Sequence, residues 1–167
     1  NYSGFENIDV SAEAGAADGF SLKGDANANV IKGSAGDDIY TVTAGNDTVT
    51  LGAAVDNITV TTALLAANSG TTATIDGGAG VDVMTISDAG TTGVDADFRG
   101  ISAVETLKLA DGTNTVVTGA TAFASGLVNL TGGTGVDTVT LHDSLVAYGV
   151  TAGADVITFS ALYDGGL

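Results

Sequence analysis

At 167 residues and 44% hydrophobic content, the chain is long enough for one domain with a core and too apolar to stay disordered. Four basic residues against 20 acidic ones give a formal net charge of −16, which repels phosphate backbones and argues against nucleic acid as a partner. No apolar run approaches the ~18 residues of a membrane-spanning helix, and there is no Cys for disulfides or thiolate metal cages. The 25 Gly, the lack of Pro and the abundance of Thr, Val, Ala and Asp suit strands and turns. Most of the acids are Asp, and most of these lie within two residues of a Gly, which is turn chemistry, and carboxylates in turns suit hard cations. The first residue is Asn1 rather than Met and no signal peptide is evident, so the chain reads as a mature fragment or one stretch of a larger protein.

In chain order, residues 1–11, NYSGFENIDVS, share a form with 100–110, GISAVETLKLA. Residues 15–23, GAADGFSLK, look like an entry unit that holds only an apolar position, Leu22. Four contiguous nine-residue units follow: GDANANVIK over 24–32, GSAGDDIYT over 33–41, VTAGNDTVT over 42–50 and LGAAVDNIT over 51–59. Their sixth positions are Asn29, Asp38, Asp47 and Asp56, and their eighth positions are Ile31, Tyr40, Val49 and Ile58. Ala54 stands where the unit has its second turn glycine. The pattern fades over 60–76, returns as GGAGVDVMT at 77–85, fades over 86–131 and returns as GGTGVDTVT at 132–140. Residues 150–158, VTAGADVIT, keep Gly153, Asp155 and Ile157. A longer echo relates 71–87 to 126–142.

The first six residues of a unit need backbone conformations that glycine adopts cheaply, so they turn. The last three, x-apolar-x, alternate and form a short strand with its middle side chain inward. Two units then make one circuit, and residues 18 apart stack. Asn29 is expected over Asp47, Asp38 over Asp56, and Asp137 beside Asp155. Stacked strands sit about 4.8 Å apart, where two carboxylates repel by about 3 kcal/mol at an effective dielectric near 20. A cation between turns converts that repulsion into attraction. Asp82 has Leu64 and Gly100 at the 18-residue offsets, so it is expected to cap a turn without a stacked acid. The ligand atoms on offer are Asp carboxylates and turn carbonyls, with His142 the one His, which favours calcium over zinc, copper or magnesium.

The form G-G-x-G-x-D-x-U-x resembles the nonapeptide repeat of the repeats-in-toxin (RTX) family. The match is complete at 77–85 and 132–140, near complete at 33–41 and 42–50, and partial elsewhere. The resemblance implies an all-β fold, a parallel β-roll or β-solenoid with irregular stretches between repeat blocks. It implies one elongated module over 1–167, with blocks at 24–59, 77–85 and 132–158. It also implies calcium held between turns. Carried over onto this chain, the ligand positions are Asn29, Gly33, Ala35, Gly36, Asp38, Ala44, Gly45, Asp47 and Asp56 in the first block. Gly78, Gly80 and Asp82 follow in the second block, and Gly133, Gly135, Asp137, Gly153 and Asp155 in the third. The alternation of strand pairs and Gly-Asp turns also resembles RTX-containing surface-layer and adhesin proteins of bacteria. That implies a secreted, cell-surface structural module that self-assembles as a lattice or filament, with a cell-surface polysaccharide as a further partner.

Catalysis is not expected. His142 lies in TLHDSL beside Asp143 and Ser144, and adjacent residues on a strand face opposite ways. The sequons at Asn1, Asn46, Asn57 and Asn129 are ordinary in a Thr-rich chain. One alternative is an RTX segment serving the folding and export of an exoenzyme or toxin. Another is ice binding by the pairs Thr41/Thr43, Thr48/Thr50 and Thr59/Thr61.

Overall fold

Where the nine-residue register holds, the closing triplet of each unit is a strand with its middle residue buried. Ser21–Lys23 and Val30–Lys32 run exposed–buried–exposed, and in Ile39–Thr41 the last residue is half-buried. The glycine-rich residues between them are bends. The computed structural model describes residues 2–3, 5–13, 19–68, 72–141, 147–149 and 155–159. His142 and Gly153 lie outside these.

The described strands form three parallel sheets that do not close on themselves. The long sheet has eight strands, and its inward column runs Leu22, Tyr40, Ile58, Met84, Leu107, Leu130. A five-stranded sheet contains Asn7–Asp9, Val30–Lys32, Thr48–Ala53, Thr74–Ala79 and Ile101–Ser102. A four-stranded sheet contains Thr92–Gly93, Thr115–Val117, Thr138–Leu141 and Val156–Phe159. In the first part of the chain successive strands alternate between the long and five-stranded sheets; towards the end they alternate between the long and four-stranded sheets.

The expected return after 18 residues is met where Leu22 pairs with Tyr40, Tyr40 with Ile58, and Ile31 with Val49. Between Ile58 and Leu130 the circuits lengthen before the return after 18 residues resumes with Leu130 and Tyr148, and the parallel pairing continues through the stretches where the nonapeptide pattern fades. Helix α1, Thr62–Asn68, is inserted before Ile58 finds its partner Met84. A 3-10 turn, Asp95–Phe98, and helix α2, Ala120–Ala124, occupy two further insertions. Asp95 holds α2 in place: its carboxylate accepts the N–H groups of Thr121 at 3.1 Å and Ala122 at 2.8 Å. Insertions are tolerated because a parallel ladder needs strands in register and is indifferent to how much chain connects them.

The inward columns merge into one core that runs the length of the stack, from Ile8 to Leu141. Because strand side chains alternate, neighbouring residues on one strand differ sharply: Tyr40 is 0% exposed and Ile39 is 47% exposed. Ile58→Ala removes a fully buried side chain at the centre of the long sheet and should cost about 2–5 kcal/mol. Ile39→Ala, on the outer face, should cost less than about 1 kcal/mol. Urea denaturation of the two variants checks the assignment of faces; equal losses would contradict it.

Candidate functional site

Before many of the strands the preceding residue is polar and turned inward, and it is the sixth of its unit where a nonapeptide is present. Asp38, Asp56, Asp82, Asp137 and Asn114 are 0% exposed. Asn29 and Asp47 are also buried. The N–H of the next residue already bonds a carbonyl of the preceding turn, but the N–H of the polar residue itself lies outside the strand ladder, and a buried N–H must find an acceptor.

The acceptor is the side chain of the same position one turn further along. Asp38 accepts the N–H of Phe20 at 2.6 Å, Asp56 that of Asp38 at 2.7 Å, and Asp82 that of Asp56 at 2.8 Å. Glu105 Oε2 continues this ladder by accepting the N–H of Asp82 at 2.8 Å. A second ladder runs from the Thr91 N–H to Asn114 at 3.0 Å, from Asn114 to Asp137 at 3.2 Å and from Asp137 to Asp155 at 3.0 Å. On a third edge the Asn29 N–H reaches Asp47 at 3.0 Å.

Two expectations need correction here. The pairs Asn29–Asp47, Asp38–Asp56 and Asp137–Asp155 do stack 18 residues apart, but their carboxylates do not simply confront one another, because one oxygen of each acceptor carries a backbone hydrogen bond. Asp82 is not an isolated cap. It stacks on Asp56 at an offset of 26 and beneath Glu105 at an offset of 23, because the inserted chain lengthens those circuits. Glu105 and Asn114 were missed by motif reading, since neither lies in a nonapeptide. Their signal is a polar residue directly before a strand triplet with an apolar middle position, ETLK and NTVV.

The second carboxylate oxygen divides the acids into two groups. Asp38 Oδ2 accepts the Ser34 N–H at 2.6 Å, with the Ser34 hydroxyl at 3.3 Å. Asp47 Oδ2 accepts the Tyr40 hydroxyl at 2.9 Å. Burial and the Asp47 charge both push the Tyr40 hydroxyl above its ordinary range. By contrast, Oδ2 of Asp56, of Asp82 and of Asp137 is buried without a hydrogen-bond partner. An unsatisfied buried acceptor costs about 1–3 kcal/mol, and more when charged.

The donor set fits a hard cation: the free atoms are carboxylate oxygens, and carbonyls line the same turns. At Gly77 an added Cβ would run into both the Ala103 carbonyl oxygen and Asp82 Oδ2, so glycine leaves that carbonyl and carboxylate facing one small space. Gly33 stands in the same relation to the Leu51 carbonyl and Asp38 Oδ2. Among the described residues no three His, Cys, Asp or Glu side chains gather to hold a metal ion, so a cation would draw most of its ligands from backbone.

Of the other expected ligand positions, Gly36 and Gly133 are buried inside their turns, whereas Ala35, Ala44 and Gly80 are exposed. Gly45, Gly78 and Gly135 are half-buried and, with Gly80, adopt positive φ. Ala54 holds a positive φ of 80° in the place of the repeat's second glycine.

Burial raises the Asp56 carboxyl; the Asp38 N–H offsets part of this, and the charges of Asp82, Asp38 and Asp37 add to it, leaving it pushed up to about 7. Burial, with the charges of Glu105 and Asp76, raises Asp82 as well. No family model, curated protein or solved structure matches the chain. No helix among the described residues is long and apolar enough to cross a membrane.

The raised Asp56 value sets a pH dependence in metal-free solution. The folded protein binds this proton more tightly than the unfolded chain does. Its contribution is fully present below the model-peptide value of 3.8 and is lost as pH rises through about 7. In chelator, the melting temperature of Asp56→Asn relative to the parent should therefore rise between pH 5 and pH 8. A difference that stays flat over that range would contradict the burial of a charge at this position.

Proposed function

We propose that this chain is a calcium-dependent structural module of a secreted bacterial cell-surface protein, folded as a parallel β-roll. The observation that carries the reading is the set of buried, unpartnered Oδ2 atoms on Asp56, Asp82 and Asp137, the last two inside the complete nonapeptides at 77–85 and 132–140. Asn29 and Asn114 occupy the same ladder positions without charge, and Asn114 accepts an inter-turn N–H as the acids do. The amide bond therefore needs no carboxylate, and the charge at Asp56, Asp82 and Asp137 calls for another partner. A divalent cation supplies one and offsets part of the net charge of −16.

In this reading the chain's own residues have separable tasks. The apolar columns hold the turns in register. The inward acids satisfy inter-turn amides through one oxygen and present the other to the cation. Glycines such as Gly77 keep the space between carboxylate and carbonyl open. Calcium supplies electrostatic attraction between successive turns, and binding to the folded state alone raises stability by mass action. The role is structural rather than catalytic.

Calorimetric titration tests the reading. The parent should bind calcium and show a higher urea midpoint in millimolar calcium than in chelator. Asp82→Asn keeps the amide acceptor and removes the free charge, so calcium affinity should fall at least roughly tenfold. Asp47→Asn alters a carboxylate already engaged by Tyr40 and should change affinity less than roughly threefold. Equal losses in the two variants, or no heat with the parent, would remove the basis for a calcium module.

A further inference from the structure

We propose that the outer face of the long sheet docks a sparsely charged acidic polysaccharide, laid along the stack and across the strands. The inference goes beyond the structural-module reading and rests on the fold alone, since no contact it invokes needs a cation.

The chain carries four basic residues against 20 acidic ones, and their placement is uneven. Lys32 is paired with Asp9 at 3.2 Å. Lys23 and Lys108 are exposed, and among the described residues neither has an ion pair. The parallel register puts these two in one outward row: Lys23 lies beside Thr41, Thr41 beside Thr59, Thr59 beside Thr85, and Thr85 beside Lys108. Thr131 extends the row past Lys108. The companion outward row, from Ser21 through Asn57 to Asn129, contains no acid either. A chain of net charge −16 thus presents, over this stretch of the long sheet, an acid-free face with two unpaired cations. The other sheets differ. The five-stranded sheet turns Asp9 and Asp76 outward, and the outward residues of the four-stranded sheet are uncharged Thr and Val.

The residues between the two lysines are half-buried threonines, and no described residue bonds the hydroxyls of Thr41, Thr59 or Thr85. Elsewhere in the fold, the hydroxyls of Thr43, Thr62 and Thr118 bond Asp47, Asp88 and the Thr140 carbonyl. Each inner strand of the long sheet is paired on both sides, so a partner on this face meets side chains rather than free backbone. Strand spacing sets the interval between hydroxyls at about 4.8 Å, and four such steps separate the lysines by about 19 Å.

These features select the partner. A threonine hydroxyl both donates and accepts, as a sugar hydroxyl does, so the row suits neutral sugars. Each lysine suits an anion as a point charge. A polymer charged on every unit would lay anions over the threonines with no cation beneath them, on a chain that is already strongly acidic. An acidic peptide engages a sheet by adding to an edge, and the inner strands have no free edge. A linear polysaccharide with neutral sugars between widely spaced carboxylates matches both the row and its two cations.

The test follows amide chemical shifts of the full chain in millimolar calcium. The probe is short chains of gellan, a linear polysaccharide with one carboxylate in each four-sugar repeat. Titration should shift the amides of Thr41, Thr59 and Thr85 and leave those of Thr50 and Thr138, on the other sheets, in place. Lys23→Gln and Lys108→Gln should each weaken binding roughly threefold, and the double variant roughly tenfold, the scale of exposed charge pairs. Lys32→Gln, on the five-stranded sheet, should leave affinity unchanged. Gellan whose carboxylates have been reduced to neutral alcohols should bind at least roughly tenfold more weakly. Thr59→Val removes a hydroxyl at constant shape and should weaken binding roughly threefold. If circular dichroism shows that this variant has lost its β spectrum, Thr85→Val replaces it. No shifts with the parent, equal binding of the reduced polymer, or equal losses in Lys32→Gln and Lys23→Gln would each overturn the proposal. So would tighter binding of polygalacturonate, which is charged on every sugar. Shifts at the same amides on concentrating the protein alone would assign the face to a second copy and overturn it as well. Calcium-dependent stability without polymer binding would leave the module reading standing and sink this one; polymer binding by a chain indifferent to calcium would do the reverse.

Discussion

In a stack of parallel turns, the backbone N–H of the residue leading into each strand points along the stack before the regular strand ladder has begun. It is buried, and water does not reach it. The arrangement seen here answers that constraint with a side chain from the next turn, which puts a short polar residue at one fixed place in every unit. Much else follows. The acid must face inward, the turn that carries it must be tight, and glycine must stand wherever a neighbouring carbonyl approaches, as at Gly77 and Gly33.

This solution brings carboxylates into an apolar stack, which is costly unless both oxygens are satisfied. Asp38 and Asp47 meet that demand with Ser34 and Tyr40 from their own or the adjacent unit. Asp56, Asp82 and Asp137 do not, and Asn114 shows that an amide performs the capping without a charge. Charge is thus retained where capping does not require it, and that excess is the physical ground for a cation between turns. The raised Asp56 carboxyl expresses the same tension in metal-free protein.

The parallel β architecture, the inward eighth positions and the 18-residue return were legible from the register of 24–59, because alternation and glycine placement are local. The longer circuits were not. Nothing in TTALLAAN signals that Ile58 will pair with Met84 across an inserted helix, since strand pairing depends on the ends of the connection rather than its content. Asp82 was misjudged for that reason alone. The site was half legible: the acids could be placed, but the partner of each is a backbone amide, which has no sequence signature. The inter-turn repulsion inferred from spacing therefore overlooked the bond that occupies one oxygen of each acid.

Amide hydrogen exchange measures the inter-turn bond most directly. The account predicts that the N–H groups of Asp38, Asp56, Asn114 and Asp137, although they sit in turns, exchange as slowly as those of the buried strand residues Ile58 and Val139. It also predicts that Asp82→Ala selectively speeds exchange at Asp56, the amide that Asp82 accepts. Exchange at these four amides as fast as at the exposed turn residues Ala35 and Ala44, or an Asp56 rate unchanged by Asp82→Ala, would contradict it.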